Sequence, residues 1–226
     1  VGVVVVAAGS GTRLGAERPK AFVELSGMTL LEHALRGVVA TAGVDEVIVV
    51  VPADLVAGAE AVAAPMTGPT GPTLQVVPGG AERTDSVAAG LAALSGAVRI
   101  VLVHDAARCL TPVVVFERVL EALDGGAAGA VPGVPVVDTI KVIDGEGLVT
   151  GTPSRDSLRA VQTPQGFRRE VLEQAHACAV AATDDAALVE ALGHPVLVVE
   201  GDHRSLKITT PEDLERAERL LRLTAG

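Results

Sequence analysis

Six short Val-rich runs recur along the 226-residue chain, at Val1–Ala8, Val47–Val51, Leu74–Val77, Ile100–Val103, Ala128–Val131 and Val196–Val199. Each is continuous and β-branched rather than alternating, the pattern of a strand buried on both faces. Helical segments with recognisable starts lie between them. Thr29 with Glu32 reads as a capping box, and Leu31, Leu35 and Val38 then form an apolar stripe. Thr111-Pro112 and Thr210-Pro211 each set a hydroxyl before a proline suited to a first helical position. Glu212 and Asp213 suit the positive end of the last helix, and Arg219 and Arg222 its negative end. Strands alternating with helices predict an α/β chain with a mainly parallel twisted sheet covered on both faces.

Two stretches interrupt the alternation. Pro65–Pro72 is a Pro/Gly-rich surface loop. Val136–Arg155 holds two short β-type runs around Asp144-Gly145 and Gly147, a hairpin signal. It reads either as a decorative loop or as an arm that grips a second subunit. We expect a single domain over 1–226, with 136–157 as the inserted β-arm.

Composition excludes several classes. An apolar fraction of 49% rules out a disordered chain. A net charge of −10 and only three aromatic residues, all Phe, argue against a nucleic-acid partner. No apolar run approaches the ~18 residues of a membrane span, so no membrane partner is expected. Cys109 and Cys178 suggest neither a metal motif nor a disulfide framework. No signal peptide is visible, although the chain opens on Val1 rather than Met. A soluble cytoplasmic protein is the expectation. Of the 18 basic residues only Lys20, Lys141 and Lys207 are Lys, and all three fall inside the motifs below.

The first run leads into Ala7-Ala8-Gly9-Ser10-Gly11-Thr12-Arg13-Leu14-Gly15, then Arg18-Pro19-Lys20. Small residues at a strand end let backbone N–H groups approach an anion, and Arg13 and Lys20 add charge where a triphosphate would lie. The Gly-Lys-Ser/Thr ending of a Walker loop is absent. The glycine spacing and the end of the second strand at Val51-Pro52, with no acidic residue, also miss the dinucleotide fingerprint. Gly79-Gly80 precede Ser86 in a strand-to-helix junction, where capping and ligand contact are both open readings. Asp105 follows a buried strand, where ligands bind in open α/β sheets, and is placed to hold Mg²⁺ against phosphates. Arg108 is placed to hold another phosphate. His104 reads as a packed, hydrogen-bonded residue, because no second His lies at ligand spacing.

AAGSGTRLG followed by RPK resembles the signature of nucleotidyltransferases that attach a nucleoside monophosphate to a phosphorylated small molecule. The ordered set AAGSGTRLG…PK, GGAERTDS, HDAAR, DTIK, TPQGF, TDDA and KITTPEDL over residues 7–214 closely resembles the 2-C-methyl-D-erythritol 4-phosphate cytidylyltransferase family. HDAAR, DTIK and TPQGF separate it from sugar pyrophosphorylases. The resemblance implies a Rossmann-like nucleotidyltransferase fold with a protruding β-arm. It also implies CMP transfer from CTP to methylerythritol phosphate, with Mg²⁺ or another divalent cation as cofactor. Ala7, Ala8, Gly9, Gly11, Gly80, Ser86 and Ala106 would surround CTP. Arg13, Lys20 and Lys207 would be catalytic, holding phosphates and the reacting centre. Asp105 would serve metal and substrate. Arg108, Thr163 and Thr183 would line the methylerythritol phosphate site. Thr139 and Arg155 would reach it from the partner's arm in a homodimer, and Lys141 would be a dimer-surface charge. Cys109, Ala81 and Ala187 stand where the family commonly carries Pro, an acidic residue and Ser. The chain ends at Gly226, so no fused cyclodiphosphate synthase domain is expected. The alternatives are a ribitol-5-phosphate cytidylyltransferase and a non-catalytic nucleotide-binding module.

Overall fold

The computed structural model describes residues 1–9, 19–178 and 182–224. The expected runs are strands: β1 (Gly2–Val6), β4 (Glu46–Val51), β5 (Thr73–Pro78), β6 (Ile100–Asp105), β7 (Gly129–Pro135) and β12 (Val196–Glu200). Two short strands, β10 (Arg159–Val161) and β11 (Gln165–Arg168), complete an eight-stranded sheet in the order β10-β7-β11-β6-β1-β4-β5, with β12 beside β7. β6, β1, β4 and β5 are mutually parallel, and β12 is parallel to β7. β10 and β11 run antiparallel to β7, and β11 also to β6. β1 has β4 on one side and β6 on the other, so the chain reverses its direction of travel across the sheet beside β1.

In β1, β4 and β6 the valines are continuous because both faces are covered. The expectation fails at β5 and β12, which pair on one side only and leave residues such as Leu197 and Val198 exposed. Val3 and Val5 pack with Val47, Val49 and Leu102 beneath α1 (Leu30–Val39), α2 (Val56–Ala63), α4 (Val113–Asp124) and α7 (Pro211–Thr224). Val4, Ile48, Val50 and Val103 pack beneath α3 (Arg83–Ala93), α5 (Arg169–Ala177) and α6 (Asp185–Ala191). Side chains alternate across a strand, so a strand buried on both faces must be apolar at successive positions.

The helix starts follow the sequence unevenly. Leu31, Leu35 and Val38 are wholly buried on α1. Half of its capping box forms: the Thr29 hydroxyl accepts from Glu32 N–H at 3.1 Å, while the Glu32 carboxylate pairs with Arg36 at 3.5 Å. Thr210 caps α7, accepting from Asp213 N–H at 3.3 Å as the Asp213 carboxylate takes the Thr209 and Thr210 N–H groups. Thr111 is a correction. Its hydroxyl donates to the Arg108 carbonyl at 2.8 Å, closing the turn after Ala106–Arg108, and Pro112 is extended, so α4 begins at Val113 without a side-chain cap.

After Pro135 the chain leaves the sheet and forms a hairpin of β8 (Val142–Ile143) and β9 (Val149–Gly151) before returning at β10. The Asp144 carboxylate accepts from Glu146 and Leu148 N–H, and Gly147 takes a φ of 85° that L side chains rarely adopt. Small two-stranded sheets complete the structure, here β8-β9 and, near the start, β2 (Glu24–Leu25) with β3 (Met28–Thr29). No helix among the described residues is long and apolar enough to cross a membrane.

Candidate active site

A cavity of about 360 Å³ opens where β1 and β6 end and α3 begins. It lies at the point where strand order reverses, the place at which open α/β sheets bind ligands. Ala7, Ala8 and Gly9 line it from β1, Asp105 and Ala106 from β6, and Gly80 and Ser86 from the β5–α3 junction. Lys20 enters from a 3-10 turn, Lys20–Phe22, that buried Ala21 anchors to the core. Lys207 enters from the segment after β12, docked by Ile208 N–H on the Ala107 carbonyl at 2.9 Å. Residues far apart in sequence thus form one wall. Arg13 and Gly11 lie outside the described residues.

The glycine pair at 79–80 has an internal reason. A Cβ on Gly80 would collide with the Asp85 side chain, and one on Gly79 would sit 2.7 Å from Ser86 Oγ. Asp85 accepts from Glu82 N–H at 3.1 Å, and Ser86 Oγ donates to the Glu82 carbonyl at 3.1 Å. Packing of the loop onto its own helix start therefore demands these glycines without any ligand.

Asp105 is the electrostatic centre. Lys207 Nζ lies 2.8 Å from one carboxylate oxygen and Arg83 Nε 3.5 Å from the other. Burial pushes the Asp105 carboxyl up, but Arg83, Lys207 and Arg108 outweigh it and hold the pKa at about 2. Its backbone is held too: Asp105 N–H donates to Thr163 Oγ1 at 3.1 Å, and that hydroxyl contacts His104 Nδ1 at 3.0 Å. His104 packs on Phe116, and burial drives its pKa down to about 4, so it sits neutral as the packed residue expected. Burial raises the Cys109 thiol to about 12, which leaves it unsuited to nucleophilic work.

The other expected residues divide. Arg108 donates to the carbonyls of Ser205 at 2.7 Å and Val161 at 3.2 Å, joining the β6 end to β10 and to the Lys207 segment. Thr163 is buried in the stretch between β10 and β11, where the pairing register along β7 shifts. Thr183 is exposed just before Asp184, which Gln165 Nε2 binds at 2.7 Å. Thr139 and Arg155 stay on the arm and do not line the cavity; Arg155 donates to the Val137 carbonyl at 2.9 Å. Lys141 ties the arm's two legs through Thr152 Oγ1 at 2.9 Å.

Sequence reasoning passed over Arg83 and its partner Asp185, which meet at 2.8 Å across 102 residues. Both sit inside the motifs GGAERTDS and TDDA, so the available signal was a charge placed at the start of a helix facing the strand ends. Burial works against the Arg83 charge, and Asp185 with Asp105 overcomes it and raises the pKa.

No group of three or more His, Cys, Asp or Glu that could hold a metal occurs among the described residues. One ionised oxygen donor facing the cavity fits a hard cation such as Mg²⁺, which is held by one or two carboxylates plus substrate phosphates and water.

The sequence model of the 2-C-methyl-D-erythritol 4-phosphate cytidylyltransferase family matches residues 1–223. A protein of that name from Nocardia farcinica is 52% identical over 218 residues, covering 96% of this chain and 92% of the relative. The crystal structure of 4-diphosphocytidyl-2C-methyl-D-erythritol synthase from Anaerococcus prevotii superposes with a TM-score of 0.86 at 29% identity, over 98% of this chain and 97% of that one. The 2-C-methyl-D-erythritol 4-phosphate cytidylyltransferase of Thermus thermophilus gives 0.76 at 40% identity, over 97% and 98%. With the motif order matched along the sequence and the fold matched across nearly its whole length, this chain belongs to the 2-C-methyl-D-erythritol 4-phosphate cytidylyltransferase family.

Proposed function

We propose that the protein transfers CMP from CTP to 2-C-methyl-D-erythritol 4-phosphate, releasing pyrophosphate, in the non-mevalonate isoprenoid pathway. The observation that carries this reading is the cavity at the strand reversal, where Lys20, Lys207 and the ionised Asp105 converge in a chain of this family.

A substrate phosphate oxygen forms a bond to the α-phosphorus of CTP in line with the bond that breaks to the β-phosphate. That electron pair leaves with pyrophosphate. With a second pKa of about 6 the attacking phosphate is already largely dianionic, so no general base is needed. Neutral His104 and the protonated Cys109 thiol agree with that economy. The work left to the chain is positioning and charge stabilisation. Ala7, Ala8, Gly9, Gly80, Ser86 and Ala106 form the walls around CTP. Lys20 and Arg13 hold the triphosphate, and Lys207 balances charge at the reacting centre. Arg108, Thr163 and Thr183 belong to the acceptor side, where Thr163 works by fixing Asp105. Asp105 would hold Mg²⁺, which when bound supplies positive charge against the triphosphate.

The arm supplies the second subunit's share. Val137, Ile143, Leu148 and Val149 are all more than half exposed on it. Such a run of apolar groups on a projection calls for a covering surface. A homodimer that pairs the arms would cover them and carry Thr139 and Arg155 to the neighbouring cavity.

Pyrophosphate release is the test, with Mg²⁺, each of the four nucleoside triphosphates, and either methylerythritol phosphate or ribitol phosphate. Release confined to CTP with methylerythritol phosphate is expected. Release with ribitol phosphate would move the acceptor, and CTP binding with silence in every combination would overturn transfer altogether.

A further inference from the structure

Asp185 opens α6 with no exposed surface, and both of its carboxylate oxygens are taken. One accepts from Arg83 Nη1 at 2.8 Å, and the other contacts His176 Nε2, near the end of α5, at 3.0 Å. Arg83 opens α3, lines the cavity, and turns its Nε toward Asp105 Oδ1 at 3.5 Å. A continuous chain of polar contacts therefore runs from the α5–α6 layer to the carboxylate in the cavity. Asp105 is gripped on one side by Lys207, which is nearly half exposed, and on the other by Arg83, which is not.

Burying a carboxylate behind a cavity is costly, and a well-packed apolar residue would serve stability as well. What a buried carboxylate adds is direction. The guanidinium is a flat fork, and a second anchor fixes the plane in which it presents its donors. Without Asp185 that fork would be free to swing onto the triphosphate or across Asp105. His176 performs the same service for Asp185 that Asp185 performs for Arg83, using the carboxylate oxygen that Arg83 leaves.

We propose that His176 and Asp185 are positioning residues of this enzyme, acting through Arg83 to fix the carboxylate of Asp105 in the cavity. The inference deepens the transfer reading and rests on it for its kinetic consequence, while the placement of Arg83 can be read without any turnover.

The experiment uses the full chain and the variants His176→Leu, His176→Gln, Arg83→Lys and the double variant Arg83→Lys/His176→Leu. The Arg83 Nε–H resonance, assigned by its loss in Arg83→Lys, should exchange slowly with solvent in the wild type. It should exchange quickly in His176→Leu and slowly again in His176→Gln, which restores a donor at the same reach. In pyrophosphate release, His176→Leu should lower kcat about tenfold, the lower end of what outer partners of a charged site are worth. KM for CTP should stay within about twofold, separating positioning from substrate binding. His176→Gln should recover most of the loss, and the double variant should be no slower than Arg83→Lys alone. Wild-type kcat in a folded His176→Leu, an unchanged Arg83 signal in that variant, or multiplied losses in the double variant would each overturn the proposal. A wild type silent with every nucleotide would sink the transfer reading instead. The exchange of the Arg83 signal would then decide by itself whether His176 holds Arg83.

Discussion

The end of β6 and the arm invert the ordinary rule of protein interiors in opposite ways. Around Asp105 the charges lie inside, and each is answered within the chain: Lys207 and Arg83 meet the carboxylate, Asp185 meets Arg83, and His176 meets Asp185. On the arm the apolar groups lie outside, with Val137 at 75% and Leu148 at 62% exposed. In the first region every one of these charges finds its partner within a single chain. The second is held by a few local contacts, such as Lys141 on Thr152 and Asp144 on its own turn, and its exposed surface asks for a partner. One chain thus keeps its buried charges preorganised and leaves the apolar groups of its arm uncovered.

The sharpest way to break this contrast is to remove a cavity cation. Lys20→Ala or Lys207→Ala should lower kcat by about 10²-fold or more with the fold intact, since each lost contact would act on charge that develops in the transition state. Near-wild-type pyrophosphate release in either variant would remove that lysine from the mechanism.

The arm should fail differently. Ile143→Asp with Val149→Asp should leave the monomer folded and weaken self-association at least tenfold, about 1.4 kcal/mol. Sedimentation that shows the wild type monomeric, or the variant equally dimeric, would reject the arm as the interface. If the arm completes the neighbouring cavity, mixing Arg155→Ala with Lys20→Ala subunits should restore activity that neither has alone. Proven heterodimers without rescue would make the two regions independent.

A pH titration probes the buried region directly. His104 is held neutral, with its pKa lowered from 6.5 to about 4. The unfolded chain therefore binds more protons between those values, and stability present above pH 6.5 is lost as the pH falls toward 4. The loss is on the order of 3 kcal/mol. Asp105, lowered from 3.8 to about 2, adds a further loss as the pH falls through that lower window. Thermal midpoints followed from pH 7 to pH 4 should drop in the wild type and flatten in His104→Asn. An equal slope in both would show that His104 does not carry the titration. Smallest of all, Lys141→Ala should cost less than about 1 kcal/mol, as exposed polar ties do. A larger drop in its denaturation midpoint would mean that the arm is more tightly built than its exposure suggests.

The sequence by itself determined the layers of this protein and part of the lining of its cavity. Runs such as Val47–Val51 could satisfy their apolar side chains only between two covers, and β4 is buried on both faces. Thr210 at the start of α7 and the hairpin around Gly147 were likewise legible, because caps and turns are local signals with fixed spacings, whereas Gly80, Ser86 and Lys207 were placed beside Ala7, Lys20 and Asp105 by the family resemblance of their motifs. Local signals also misled. Thr111 looks like a cap beside Pro112, yet its hydroxyl found a nearer carbonyl at Arg108. What only the tertiary structure decided is who meets whom across long separations. Thr163 joins His104 across 59 residues and Arg83 joins Asp185 across 102. Neither pairing leaves a periodicity or a spacing in the chain. Each exists because the sheet order brings β6, the β10–β11 stretch and the starts of α3 and α6 to one edge, where a buried polar group must take whichever partner the fold presents.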